Sequence, residues 1–112
     1  MEKSSRLSVV RDLLFFGLLI FLLVLFWKNN FLATIILLSS YLIRSYFWHE
    51  KADHVFYITG AVLGTTAEII STHAGIWRYT LPTFLNIPLW LPFAWGFAAV
   101  LILRIAQNFA DS

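Results

Sequence analysis

The residue best suited to chemistry in this sequence is Glu68, which lies in the long, mostly apolar run GTTAEIISTHAGIWRY from Gly64 to Tyr79. A carboxyl group inside a membrane costs about 2.5 to 3.5 kcal/mol on insertion scales, so it is rarely kept without a task. Burial disfavours the charged form of a carboxyl group, and a neutral glutamic acid is a proton donor. Glu68 is therefore the candidate catalytic residue.

The helical face that carries Glu68 is otherwise made of small residues at intervals of about one turn: Gly60, Gly64, Thr72, and then Gly75 or Ile76. Glycines at this spacing let another helix approach closely, which would turn Glu68 towards the interior of a bundle. In a purely structural alternative, Glu68 ties helices together through hydroxyl groups. The available partners are Thr65, Thr72, Ser39 and Ser40.

His73 and Arg78 follow Glu68 towards the same end of the segment, and Trp95 is expected at a comparable depth on the next helix, so a polar pocket is predicted there. His73 lies five residues after Glu68, about 140° around a helix, so the two share no face and no metal site is predicted. The HEKADH stretch, residues 49–54, matches no zinc motif and is expected to be a solvated loop. No cofactor is predicted.

Four apolar segments must position these residues. They lie near residues 10–27, 31–48, 54–77 and 88–107, and each is close to the roughly 20 residues that a helix needs to cross a bilayer. After the first segment, Lys28-Asn29-Asn30 lacks the small-residue pattern of a signal-peptidase site, so an uncleaved span is expected. We predict an all-α, polytopic integral membrane protein, an antiparallel bundle of four transmembrane helices in which residues 1–112 form a single membrane domain.

Composition supports the membrane prediction and excludes several other classes. Of the 112 residues, 60% are hydrophobic and 12% are charged, and the mean hydropathy is +0.78, whereas soluble domains have about 25% charged residues. The net charge of +2 is small and the basic residues are scattered, so no nucleic-acid partner is expected. The absence of cysteine excludes disulfides and thiol catalysis.

The distribution of basic residues predicts the orientation. If both termini are cytoplasmic, six of the eight lysine and arginine residues lie on the inner side, as the positive-inside rule requires. These six are Lys3, Arg6, Arg11, Arg44, Lys51 and Arg104. Arg44 and Arg104 are expected to extend to the inner surface and hold phospholipid headgroups. The expected location is the cytoplasmic membrane, which is the inner membrane in a bacterium.

The segment from Glu68 to Pro88 resembles the membrane lycopene cyclase-domain proteins and the related bisanhydrobacterioruberin hydratases, two carotenoid-modifying families. In both, an acidic residue in a membrane helix precedes a T-x-x-G-x-W-x-[FY] stretch, and here Glu68 lies four residues before Thr72-His-Ala-Gly75-Ile-Trp77-Arg-Tyr79. The resemblance implies protonation of an unsaturated hydrocarbon by Glu68, with aromatic rings stabilising the cation. The candidate substrate-binding residues are Thr72, His73, Gly75, Trp77, Tyr79 and Trp95.

The predicted function is binding, or acid-catalysed modification, of an isoprenoid- or carotenoid-like lipid, and whether the chain is an enzyme stays open. One alternative is a small proton-coupled transporter of the four-helix type, in which a carboxylate exchanges protons for a cationic substrate. The other is a non-catalytic accessory subunit. The expected partners are membrane lipid and a hydrophobic small molecule, and the chain is free to form a homo-oligomer or to join a partner subunit.

Overall fold

The computed structural model describes the backbone of residues 3–110 and the side chains of residues 6–110. This part of the chain is all α, as predicted, and it contains no strand. Each of its four helices is long and apolar enough to cross a membrane. The helices are α1 (Lys3–Phe26), α2 (Asn30–Trp48), α3 (Asp53–His73) and α4 (Leu91–Ala110).

Short connections make successive helices antiparallel. Three residues join α1 to α2, and the Asn29 side chain caps α2 by accepting a hydrogen bond from the Leu32 amide at 3.0 Å. Four residues join α2 to α3, and Ala52 adopts a left-handed conformation (φ 73°) just before α3 begins. We call the end of the bundle with this connection the termini end, because α1 begins and α4 ends there. The opposite end is the loop end.

The long α3–α4 connection covers the loop end. Its turn at residues 84–87 has two consecutive left-handed residues, Leu85 (φ 46°) and Asn86 (φ 66°). Asn30, the first residue of α2, binds this connection through its side chain, which donates to the Leu81 carbonyl at 3.0 Å and accepts from the Leu89 amide at 3.1 Å. The α3–α4 connection is therefore fastened to the start of α2.

The centre of the bundle is α4, which packs against each of the other three helices. The close approach predicted for the glycine face of α3 is confirmed, because a methyl group at Gly60 would clash with Ala99 and one at Gly64 with the Trp95 ring. Tyr57 of α3 lies in the same way against Gly96 of α4, whose added Cβ would be 2.7 Å from the tyrosine ring. The buried core between α1, α2 and α4 consists of Leu19, Leu37, Tyr41, Ala94, Phe97, Val100 and Leu101.

The outward faces of all four helices are apolar. Only 11% to 33% of the most apolar 18-residue window of each helix is buried, and large side chains such as Leu14 and Val24 are about two-thirds exposed, at 70% and 66%. A water-soluble protein rarely exposes apolar surface on this scale. The exterior therefore suits contact with lipid chains.

The third helix ends at His73, four residues before the end predicted for the third span at Trp77. Gly75 is the reason: it adopts a left-handed conformation (φ 82°), its amide donates to the Thr72 carbonyl and the Ile76 amide donates to the Ser71 carbonyl. This pair of bonds is a Schellman motif, which stops a helix and reverses the chain. The fourth helix begins at Leu91, three residues after the predicted start at Pro88.

Candidate functional site

Glu68 lies on α3 about 8 Å from the end of the helix, counting 1.5 Å per residue. Its Oε2 accepts two hydrogen bonds, one from the Trp77 indole N–H at 2.8 Å and one from the Tyr79 hydroxyl at 3.0 Å. The carboxyl group is half-buried. We call Glu68, Trp77 and Tyr79 the loop-end cluster.

The left-handed turn at Gly75 assembles this cluster. Because the chain reverses there, residues just beyond the helix fold back along the last turns of α3 and reach Glu68. Nothing lies within 4 Å of a Cβ placed on Gly75, so a glycine is needed for the backbone conformation and not for close packing. The hydrogen-bond partners of Glu68 are thus two aromatic residues of the connection. They are not the hydroxyl groups named in the structural alternative, those of Thr65, Thr72, Ser39 and Ser40.

The Tyr79 hydroxyl keeps its proton in this setting. Burial raises its pKa above the usual value, and the neighbouring Glu68 carboxylate raises it further because a second negative charge beside it is unfavourable. The phenol therefore stays protonated well above neutral pH.

The predicted site residues are only partly brought together. Trp77 and Tyr79 contact Glu68 directly, and Trp95 lies one turn away from it, against Gly64. Thr72 and His73 instead bond to the Ile69 carbonyl of their own helix, at 3.0 Å and 2.9 Å. They do not reach the carboxyl group.

An apolar groove of about 350 Å³ runs between α1 and α4 beside this cluster. It extends along α4 from Leu91 to Ile102, which is about 16 Å of helix. This length is about half the thickness of a bilayer core, which is about 30 Å. We call it the α1–α4 groove. Its lining comprises Phe16, Leu19, Leu23, Tyr79, Trp90, Leu91, Ala94, Trp95, Ala98 and Ile102.

A second depression of about 440 Å³ adjoins the groove at the loop end and shares Leu23, Tyr79 and Trp90 with it. We call it the mouth, and it is lined by Leu23, Val24, Trp27, Arg78, Tyr79, Thr80 and Trp90. The Tyr79 ring packs edge-on against Trp90, with ring centres 6.2 Å apart. Tyr79 therefore lies between Glu68, which its hydroxyl contacts, and the groove, which its ring lines.

The largest polar assembly lies at the termini end, and the sequence reasoning missed it. Four buried side chains, one from each helix, alternate in charge: Asp12, Arg44, Asp53 and Arg104. Arg44 binds Asp12 through Nε (3.0 Å) and Asp53 through Nη1 (3.1 Å), and Arg104 binds Asp53 through Nε (2.7 Å). We call these four residues the charge chain. It lies about 22 Å from Glu68, counting 15 residues along α3.

Two expectations are therefore wrong. Arg44 is fully buried and Arg104 is 8% exposed, so neither extends to a surface to hold headgroups. Asp53 is fully buried, so the predicted solvated loop is solvated only in part. The reason is pairing: each buried guanidinium faces a buried carboxylate, which offsets the cost of removing both from water.

The charge chain has the features of a structural cluster that holds the four helices together. Its two arginines and two aspartates sum to zero charge, and the rim adds one further charge of each sign, Arg11 on Asp12 and Glu50 on Arg104. Neither the α1–α4 groove nor the mouth is lined by any of the four residues. The weak signal for it in the sequence is that each of the four residues lies within four positions of the termini-side end of a predicted span.

Within residues 3–110, no group of three or more histidine, aspartate or glutamate side chains is close enough together to hold a metal ion. His49 and His54 stack with ring centres 4.6 Å apart, and His54 shares a hydrogen bond of 2.8 Å with the Tyr41 hydroxyl.

Comparison of the chain with models of protein families, with curated proteins and with solved structures gives no match.

Proposed function

We propose that this chain is an integral membrane protein that binds a linear isoprenoid-type lipid in the α1–α4 groove. The observation that carries the proposal is the double role of Tyr79, whose ring lines the groove while its hydroxyl is held by Glu68. An apolar recess with a few polar groups at one end is the usual form of a site for a hydrophobic small molecule.

The lining of the groove favours an unsaturated chain. Four aromatic residues, Phe16, Tyr79, Trp90 and Trp95, line a slot whose other walls are aliphatic. Aromatic faces and edges attract the π-electrons of a polyene in addition to burying its surface. Ala94 and Ala98 leave room for a chain with methyl branches on the side of α4. A saturated acyl chain would gain burial but would not gain the contacts between π systems.

The topology proposed with this function places both termini in the cytoplasm. The termini end then faces the inner leaflet, and the mouth opens near the outer surface. The support is the distribution of basic residues, six on the termini side and two, Lys28 and Arg78, on the loop side. Under this topology the ligand enters from the outer leaflet.

The test is binding of geranylgeraniol, a linear C20 isoprenoid alcohol, to the protein in detergent micelles by native mass spectrometry. Ala98→Phe should fill the groove and reduce binding at least ten-fold. Ala67→Phe is the matched control, because Ala67 is exposed on α3 and lines neither the groove nor the mouth. Equal binding by both variants, or preference for hexadecanol over geranylgeraniol, would contradict the proposal.

Acid catalysis on the bound chain is the second candidate function. It is favoured by the hydrogen bond between Glu68 and Tyr79, a residue that lines the groove. In this scheme Glu68 takes up a proton, the bond reverses, and the Tyr79 hydroxyl passes its own proton to the bound chain while it receives the one from Glu68. The prediction is that Glu68→Gln abolishes conversion of an acyclic polyene such as lycopene while binding is retained, because the amide cannot donate a proton as an acid does. Unchanged turnover in this variant would remove the catalytic role of Glu68.

A further inference from the structure

We infer that the ligand of the α1–α4 groove carries an anionic phosphate headgroup, which is held in the mouth by Arg78. This inference rests on the proposed function, since the mouth and the groove share Leu23, Tyr79 and Trp90 and thus form one continuous depression. An isoprenoid phosphate would then lie with its chain between α1 and α4 and its head at the loop end.

The first observation is an uncompensated cation. Arg78 lines the mouth, is exposed, and makes no hydrogen bond or ion pair with the side chains and backbone that the structure describes. This contrasts with Arg11, Arg44 and Arg104, each of which is paired with a carboxylate. A guanidinium presents five donors in a planar fork that matches the oxygens of a phosphate.

The second observation is an orphaned donor. The Trp90 indole N–H is buried and has no hydrogen-bond partner within residues 3–110. Trp90 lines both the mouth and the groove. A buried donor without a partner costs free energy, so such groups are normally satisfied, by a ligand where one binds. An indole N–H and a guanidinium are both donors without acceptor atoms, so a ligand that pairs with them must present acceptors.

The third observation is the charge of the loop end. Its two connecting segments, residues 27–29 and 74–90, contain Lys28 and Arg78 but no aspartate or glutamate. The Lys28 ammonium lies 5.6 Å from the centre of the Trp27 ring, which is part of the mouth. The acid at this end of the bundle is Glu68, which does not line the mouth and is outnumbered by the two basic residues, Lys28 and Arg78. The local field therefore attracts an anion.

A phosphate also suits the position of the mouth beside the apolar slot. The groove accepts a hydrocarbon chain but has almost no polar surface, whereas the mouth adds the guanidinium of Arg78 and the hydroxyl of Thr80. An amphiphile with its charge at one end matches this division. A neutral hydrocarbon such as a carotene would leave the Arg78 guanidinium without a partner.

The experiment compares four probes on the wild type in detergent micelles by native mass spectrometry: geranylgeranyl phosphate, geranylgeraniol, inorganic phosphate and dioleoyl phosphatidic acid. The phosphate ester should bind roughly ten-fold or more tightly than the alcohol, the gain from charge-assisted hydrogen bonds. Arg78→Gln should reduce binding of the ester to about the level of the alcohol, and its effect on the alcohol, which carries no charge, should be much smaller. Arg6→Gln, which removes an exposed arginine near the termini end, should change neither.

The outcomes separate the two proposals. If the ester and the alcohol bind equally and Arg78→Gln has no effect, the headgroup inference is overturned and binding of an isoprenoid stands. If neither isoprenoid binds, both proposals fail. If inorganic phosphate alone binds as tightly as the ester, the mouth is a free-phosphate site and the amphiphile inference is overturned. If dioleoyl phosphatidic acid binds as tightly as the ester, the ligand is not specifically an isoprenoid, and the part of the inference that concerns the anionic headgroup is supported.

Discussion

At the scale of single residues, the loop-end cluster depends on Tyr79, which joins Glu68 to the groove. Tyr79→Phe removes one hydrogen bond to a half-buried carboxyl group and should lower the free energy of unfolding by about 1 to 2 kcal/mol. Thermal unfolding in detergent, followed by scanning fluorimetry, measures the change. Tyr46→Phe is the control because Tyr46 is 83% exposed. Equal effects of the two substitutions would contradict the role of the Tyr79 hydroxyl.

The same hydroxyl gives a dependence on pH. The pKa of Tyr79 is raised in the folded protein, first by burial and then by Glu68. A group with a raised folded pKa contributes stability that is fully present below its unfolded pKa, about 10 for tyrosine, and is lost as the pH rises through the folded value. The difference in stability between wild type and Tyr79→Phe should therefore be constant from pH 7 to 9. A difference that disappears within this range would mean that Tyr79 ionises there.

At the scale of elements, the chain reversal at the end of α3 brings Trp77 and Tyr79 to Glu68. Gly75→Ala places a side chain at φ 82° and should cost about 1 to 2 kcal/mol, although nothing is near its Cβ. Gly75→Asn should cost less, because asparagine tolerates the left-handed conformation. Thermal unfolding of both variants decides this. If alanine and asparagine are equally tolerated, the backbone conformation is not what requires glycine.

Contact between α3 and α4 depends on the small face of α3. Gly64→Ala forces a methyl group into the Trp95 ring and should destabilise the protein by about 1 to 3 kcal/mol. Gly17→Ala is the matched control, since a Cβ there meets nothing within 4 Å and alanine favours a helix. It should be neutral or slightly stabilising. A Gly64→Ala variant as stable as Gly17→Ala would show that α3 does not pack as closely on α4 as described.

At the scale of the whole molecule, the charge chain connects all four helices, and Asp53 is one of its two inner members, since it binds both Arg44 and Arg104. Asp53→Asn leaves buried guanidinium charge without a full partner and should destabilise the bundle by about 3 to 5 kcal/mol. Glu50→Gln, at the 40% exposed rim, should cost less than about 1 kcal/mol. Similar melting temperatures for the two variants would show that the charge chain does not hold the four helices together.

Much of the fold follows from the sequence because each helix is an apolar run of suitable length, and the short connections leave only antiparallel neighbours. Gly60 and Gly64 also indicated which face of α3 packs against another helix, because residues four apart lie on the same face of one helix. The partners of Glu68 were not predictable in this way. They depend on a reversal at Gly75 that returns the chain along α3, and reasoning about a continuous helical face does not include it.

The charge chain was missed for a different reason. Asp12 and Asp53 lie at the flanks of predicted spans, where charged residues are normally solvated, and Arg44 and Arg104 lie near enough to an end for their side chains to extend to the surface. Each residue taken alone is typical of an interface. Only the arrangement of four helices shows that the charges meet, because their pairing crosses sequence separations of 32, 9 and 51 residues.

The most direct measurement of the central claim is photo-crosslinking with geranylgeraniol that carries a diazirine on its chain, followed by peptide mapping of the adducts. The groove predicts labels on residues that line it, such as Phe16, Leu23 and Ala98. An excess of unlabelled geranylgeraniol should suppress them. Labels spread equally over the exposed face of α3, at Ile58 and Val62, and not displaced by competitor would contradict a site between α1 and α4.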